Sequence, residues 1–214
     1  MINVIFDMDG TLLNSEDCIC AAVAEIRKDR QLPEIPKSTI QHAIHTPGID
    51  CAKVFYNIDN FPHRSYKVGF ESYFKKHYEQ NAALFENVRE MLETCKIRQY
   101  FLALASNAPQ EKLKPILQRH NIAEYFDIII GTNPDIESKP SPMMIYHILQ
   151  KAPFKQSVFV GNCLKDEQAA ANAKIPYLQA KWREANAKNE ILQNNEFSTK
   201  DELLAMLEKY ESLF

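Results

Sequence analysis

The chain has 214 residues and a formal charge of −3, enough for one sizeable domain with a smaller insertion and without the bulk basicity that draws a protein to nucleic acid or a membrane surface. Hydrophobic residues at 45% and charged residues at 25% describe an ordinary globular chain, and no apolar run approaches the roughly 18 residues of a membrane span. The five cysteines, Cys18, Cys20, Cys51, Cys95 and Cys163, form no C-x-x-C pair, which disfavours a disulfide framework or zinc site and fits reduced thiols in a cytoplasm.

A short apolar run, Ile2 to Phe6, opens the chain with no basic segment or h-region ahead of it, so no secretory signal is expected. Its β-branched and aromatic residues predict a buried strand. Asp7 and Asp9 follow, and Gly10-Thr11 break the strand. Residues 15–31 place Ile19, Ala22, Val23 and Ile26 at helical spacing, with Ser15 as N-cap. Leu32-Pro33 and Ile35-Pro36 end that helix. A second helix is expected through Ile40 and Ile44, and others near 50–56 and 63–78. The last carries Tyr66, Phe70, Tyr73, Phe74 and Tyr78 along one stripe, read as core packing from its amphipathic period. His42 and His45 share a helix face but have no carboxylate or Cys partners nearby, and are not read as metal ligands.

From about residue 84 the pattern alternates. Helices are expected at 86–96, 109–120, 143–151 and 166–173, and strands at 100–105, 126–130, 157–160 and 176–178. Ser141 and Pro142 suit the N-cap and first position of the third of these helices. Residues 180–196 are polar and weakly patterned, and a capped helix at 201–210 ends the chain. Uniformly apolar strands alternating with helices imply a parallel sheet covered on both faces. No G-x-G-x-x-G or Walker A run is present, which disfavours a dinucleotide or P-loop site.

Four strand ends or the loops after them hold polar residues: Asp7 and Asp9; Ser106 and Asn107; Lys139; Asn162 and Asp166. Right-handed crossovers bring such ends to one edge of the sheet, where ligands bind. Taken alone, Asp7 and Asp9 read equally well as an Asp-rich turn. Joined by a hydroxyl, a cation and a further acid, the set suits phosphoryl transfer. An anionic group in transfer needs donors and cations around its oxygens. A carboxylate nucleophile splits hydrolysis into two steps, and a second carboxyl group can protonate the leaving oxygen and then activate water.

These motifs, Asp7-Met8-Asp9-Gly10-Thr11, Ser106-Asn107, Lys139-Pro140 and Gly161-Asn162 with Asp166, occur in the order that the haloacid dehalogenase-like hydrolase superfamily shows. The chain resembles that superfamily over its whole length, close to the phosphoglycolate phosphatase and β-phosphoglucomutase branch. The resemblance implies an α/β fold. Residues 1–14 and 84–214 would form a Rossmann-like three-layer core with a parallel sheet, its first strand in the middle. Residues 15–83 would form an inserted α-helical cap, with hinges near Asn14-Ser15 and Ala82-Ala83. It implies Asp7 as nucleophile and metal ligand, Asp9 as general acid and base with its carbonyl on the metal, and Thr11, Ser106, Asn107 and Lys139 around the phosphate. Asn162 and Asp166 would complete the site of a Mg²⁺ cofactor. The expected partner is a small phosphorylated metabolite, with no nucleic acid or membrane, in a cytoplasmic monomer or homodimer.

One residue departs from the family pattern. Asn162 stands where an Asp is usual, and an amide oxygen can ligate Mg²⁺ but brings no charge. The expectation is an active Mg²⁺-dependent phosphatase with a raised metal requirement. The alternatives are a binding or regulatory protein with little turnover, or a sugar-phosphate mutase. In the cap, the loop His45-Thr46-Pro47-Gly48 with Lys53 and Arg64 is the candidate substrate-selecting segment.

Overall fold

Apolar strands of four or five residues that are buried on both faces need helices on either side, and the chain supplies them in sequence order. The computed structural model describes residues 1–45, 49–57, 63–182 and 193–212, with side chains at 45 and 63–69 left aside. The elements are β1 (Asn3–Phe6), β2 (Leu13–Asn14), α1 (Glu16–Asp29), α2 (Lys37–His45), α3 (Cys51–Tyr56), α4 (His63–Asn81) and β3 (Ala83–Leu84). After them come α5 (Val88–Ile97), β4 (Phe101–Pro109), α6 (Gln110–Arg119), a 3₁₀ turn at Ala123–Tyr125 and β5 (Ile128–Thr132). The chain closes with α7 (Met143–Leu149), β6 (Ser157–Gly161), α8 (Leu164–Asn172), β7 (Tyr177–Ala180), β8 (Glu196–Phe197) and α9 (Lys200–Ser212). No helix among the described residues is long and apolar enough to cross a membrane.

The chain divides into two compact units, Met1–Leu13 with Leu84–Phe214, and Asn14–Ala83. The first is an α/β sandwich around one six-stranded sheet ordered β5-β4-β1-β6-β7-β8, with every pair parallel. β1 lies between β4 and β6, and Phe6 pairs with both Leu104 and Val160. That register sets Asp7, Ser106 and Asn162 just past the same edge. Alternation within the strands divides the core. Ile5, Ala103 and Phe159 meet Met144, Ile145 and Ile148 of α7 and Ala169, Ala170 and Ala173 of the α8 end. α5 packs on β4 and α9, and α6 on β4 and β5.

Several boundaries differ from the sequence reading. β5 runs Ile128–Thr132 where 126–130 is expected, and Pro142, not Ser141, stands at the N-cap of α7. At three others the cause is plain. β4 runs on past Ser106 to Pro109 because Pro109 regains a partner in Thr132 after an irregular step, so Pro109 ends a strand instead of opening a helix. α8 begins at Leu164, two residues early, because Cys163 caps it in a box with Asp166. β8 is a sixth strand in the polar 180–196 stretch; its two residues pair with Gln179 and Ala180.

The second unit is helical. Cys20, Val23 and Ile26 of α1, Ile40 and Ala43 of α2, and Phe55 and Tyr56 of α3 form its core, with Phe70 and Tyr73 of α4 packed against them. The aromatic stripe of α4 continues as Phe70 stacked on Phe74 and Phe74 tilted on Tyr78. Ser15 caps α1 without a side-chain bond; Asn14 instead donates to Asp17 at 3.1 Å. The segment 46–48 and the side chains of His45, Arg64 and Tyr66 lie outside the described residues.

Candidate active site

The sharp turn after β1 is fixed by its own backbone. The Met8 carbonyl accepts from the amides of Thr11, Leu12 and Leu13, and Gly10 N–H donates back to Leu13. Gly10 has φ of +85°, and a Cβ there would fall 2.2 Å from Asn162 Nδ2. The position therefore needs glycine for conformation and for space. It lets the loop after β6 close onto the loop after β1.

Asp7 and Lys139 meet at the centre. Lys139 Nζ lies 2.5 Å from Asp7 Oδ1 and 2.6 Å from Asp166 Oδ1, and all three side chains are buried. Asn107 holds the lysine in place from the end of β4. Its Nδ2 donates to the Lys139 carbonyl at 3.1 Å, and its Oδ1 accepts from the Lys139 amide at 2.7 Å. The amide of Asn107 is thus spent on Lys139 and not held open for a ligand. The Lys139–Pro140 peptide is cis. Ser106 is buried, its Oγ accepting from Ala108 N–H at 3.2 Å.

Asp166 has both oxygens engaged. Oδ1 faces Lys139, while Oδ2 accepts from the Asn162 amide (3.1 Å), the Cys163 amide (3.2 Å) and the Cys163 thiol (3.2 Å). It caps the first turn of α8, where the helix dipole favours a carboxylate. A Cβ on Gly161 would lie 2.6 Å from Asp166, so the glycine admits this arrangement. Thr11 Oγ1 stands between Asp7 Oδ2 (3.3 Å) and Asn162 Oδ1 (3.4 Å). Asp9 is half-buried beside them, and its charge bears on Asp7.

Asp7 and Asp166 share one ammonium while the charge of Asp9 reaches Asp7, which leaves excess negative charge. Burial raises the Asp7 carboxyl to about 7, with Asp166 and Asp9 adding to the rise and Lys139 opposing it. Burial works against the Lys139 charge, but Asp7 and Asp166 outweigh it and hold the ammonium protonated beyond the ordinary lysine range. Cys163 is pushed up to about 12 by burial and then by Asp166, so it stays a thiol.

The donor set can be weighed against Mg²⁺. Asp7 Oδ2 and Asn162 Oδ1 converge on one hydroxyl, and both are the hard oxygen donors such a cation takes. Among the described residues, no three His, Cys, Asp or Glu side chains group as a metal-ligand set. Asp7 Oδ2 and Asn162 Oδ1 would suit a hard divalent cation beside one carboxylate, in surroundings whose charge favours it.

The sequence reading passed over two residues. Cys163 caps α8, a role that cysteine rarely signals. Trp182 follows β7, and its indole N–H donates to the Thr11 carbonyl at 2.6 Å; its one signal was being the chain's single tryptophan, set in a polar stretch.

The haloacid dehalogenase-like hydrolase model matches residues 4–180. The phosphoglycolate phosphatase of Aquifex aeolicus is 30% identical over 186 residues, covering 84% of this chain and 84% of that protein. That of Pasteurella multocida is 28% identical over 180 residues, covering 78% and 80%. A solved haloacid dehalogenase-like family hydrolase from Streptococcus pneumoniae shares the fold, with a TM-score of 0.75 at 22% identity over 96% of this chain and 97% of that one. With the family pattern running from β1 through β7 and its polar residues gathered at one edge of the sheet, the chain belongs to the haloacid dehalogenase-like hydrolase family.

Proposed function

We propose that the protein is a phosphoric monoester hydrolase acting on a small phosphorylated metabolite through an aspartyl-phosphate on Asp7. The observation that carries this reading is the buried Asp7–Lys139 contact of 2.5 Å at the carboxyl edge of β1. A nucleophilic carboxylate meets an anionic phosphate only where a cation offsets their repulsion, and Lys139 is held there by Asn107 and Asp166.

An oxygen of Asp7 attacks phosphorus, and the bond to the leaving oxygen breaks as Asp9 gives that oxygen its proton. Asp9, now a carboxylate, takes a proton from water. The water oxygen attacks phosphorus, the Asp7–phosphorus bond breaks, and inorganic phosphate leaves with both carboxyl groups restored. Ser106, Thr11 and Lys139 hold the equatorial oxygens in this reading. Mg²⁺, held by Asp7, the Asp9 carbonyl and Asn162, supplies charge neutralisation for the phosphoryl group when bound. Asp166 serves chiefly by keeping Lys139 and the α8 turn in place.

The test is hydrolysis of p-nitrophenyl phosphate titrated with Mg²⁺, followed by a phosphate-ester panel that starts from phosphoglycolate because of the relatives' names. The expected result is Mg²⁺-dependent release of phosphate that Asp7→Asn abolishes. If the wild type is inert at every Mg²⁺ concentration while Asn162→Asp turns over, the protein is instead a binding or regulatory member. Interconversion of sugar phosphates with little net phosphate release identifies a mutase.

A further inference from the structure

We propose that Trp182 is a positioning residue for the catalytic loop, a reading that rests on the hydrolase function above. The loop from Asp7 to Leu13 is tied internally by amides converging on the Met8 carbonyl. The Thr11 carbonyl is held differently, by a side chain 171 positions away, through the 2.6 Å bond from Trp182 Nε1. Thr11 is also the residue whose hydroxyl lies between Asp7 and Asn162. The indole therefore grips the backbone of a residue that touches both loops of the site.

The grip is rigid because the ring itself is fixed. Trp182 stacks on Phe85 with centroids 6.0 Å apart, and meets the fully buried Phe197 edge-on at 5.0 Å and 82°. Phe85 in turn donates its amide to the Leu12 carbonyl at 3.0 Å. β8 supplies Phe197, and the Phe197 carbonyl accepts from the amide of Lys181, next to the tryptophan. The short β7–β8 pair thus has a use: it anchors the tryptophan that braces the catalytic loop. A residue with the same bulk and no N–H keeps the packing and loses the grip, so the effect belongs in turnover and not in substrate affinity.

The chain has one tryptophan, so it has one indole N–H to follow by ¹H–¹⁵N spectroscopy on the full-length protein. That proton is expected to exchange with D₂O at least about 100-fold more slowly than a free indole, as a part-buried hydrogen bond from a ring packed against Phe85 and Phe197 requires. Exchange at the solvent rate overturns the proposal. Trp182→Phe is expected to lower kcat about ten-fold, the scale of one lost hydrogen bond, with KM within two-fold. Phe197→Leu trims the packing and keeps the N–H; it is expected to lower the thermal midpoint and to reduce kcat less than Trp182→Phe does. Unchanged kcat in Trp182→Phe, or equal loss in both variants, overturns the proposal. If the wild type itself does not turn over, the hydrolase reading fails alone. The indole exchange, and a larger displacement of the Gly10–Leu12 amide resonances in Trp182→Phe than in Phe197→Leu, then decide the positioning role.

Discussion

The sheet-bearing unit and the helical insertion each bury a basic side chain, and they satisfy it in opposite ways. Lys139 lies between the carboxylates of Asp7 and Asp166, with side chains 2%, 9% and 1% exposed. Arg27 of α1, equally buried, donates to two neutral carbonyls: Nε to Pro33 at 2.6 Å, and Nη1 to Phe55. Phe55 is in the last turn of α3, where unpaired carbonyls carry partial negative charge. Arg27 therefore ties α1 to the segment after it and to α3 through two neutral acceptors. Its role is explained by folding alone. The Lys139 cluster is not explained that way, because extra carboxylates at close range cost stability when buried. A charge excess that folding does not require sits at the edge that the proposed hydrolysis would use.

If that contrast is right, single substitutions separate function from stability in the two units. The largest effect belongs to Asp7→Asn. It is expected to reduce phosphatase turnover by at least about 10³-fold, as loss of a nucleophile does. It also removes one negative charge from a crowded buried cluster, so its thermal midpoint should equal or exceed that of the wild type in metal-free buffer. Arg27→Met is the mirror image. It leaves the Pro33 and Phe55 carbonyls without their donor and should cost about 3 kcal/mol in denaturant unfolding, with kcat per folded molecule within about two-fold. A folded, inactive Arg27→Met, or an unfolded Asp7→Asn, would break the comparison.

The next effect tests the charge excess directly. Asn162→Asp is isosteric, so it fits against Gly10 as Asn162 does, and it adds a carboxylate beside Asp7. Isothermal calorimetry without substrate should show Mg²⁺ binding about ten-fold tighter, since one added charge at a few ångströms is worth on the order of 1 to 4 kcal/mol before desolvation is subtracted. In EDTA the same variant should melt below the wild type, and Mg²⁺ should restore it. Unchanged Mg²⁺ affinity would mean that the Asn162 side chain plays no part in holding the cation.

The sequence carried the frame of this site because each piece was local. An apolar run ending in Asp-Met-Asp-Gly predicts a strand and its edge, and Ser106 and Asn162 follow apolar runs of the same kind. Lys139 follows the third apolar run and the insertion shows helical periods, while the family resemblance assigned their roles. What could not be read depends on partners distant in the chain. Asn107 spends its amide on Lys139, 32 residues on, which no spacing rule announces. Cys163 caps α8 only because Asp166 turns back onto it. β8 is a strand only because β7 offers an edge, and Trp182 finds Thr11 only once that edge is built.

The smallest expected effect concerns a charge outside both buried settings. Glu202 accepts from Ser198 N–H at 2.7 Å, Ser198 Oγ at 3.0 Å and Thr199 N–H at 3.1 Å, while Thr199 Oγ1 accepts from the Glu202 amide at 3.2 Å. This is a reciprocal cap at the start of α9. The Ser198 amide, then the hydroxyls and the Thr199 amide, outweigh partial burial and hold the Glu202 carboxyl below 4.5. A carboxylate lowered in the folded state stabilises it fully above the unfolded value near 4.5, and that contribution disappears as pH falls through the lower folded value. Glu202→Gln should therefore be less stable than the wild type at pH 7 by no more than about 1 kcal/mol, the size of one exposed cap. The two curves should converge as pH falls through the lowered folded value. A constant difference across that range would assign the cap's worth to shape instead of charge. Against the Asp7 cluster, where excess negative charge is tolerated at a cost, Glu202 shows a carboxylate placed where the backbone itself supplies the compensating donors.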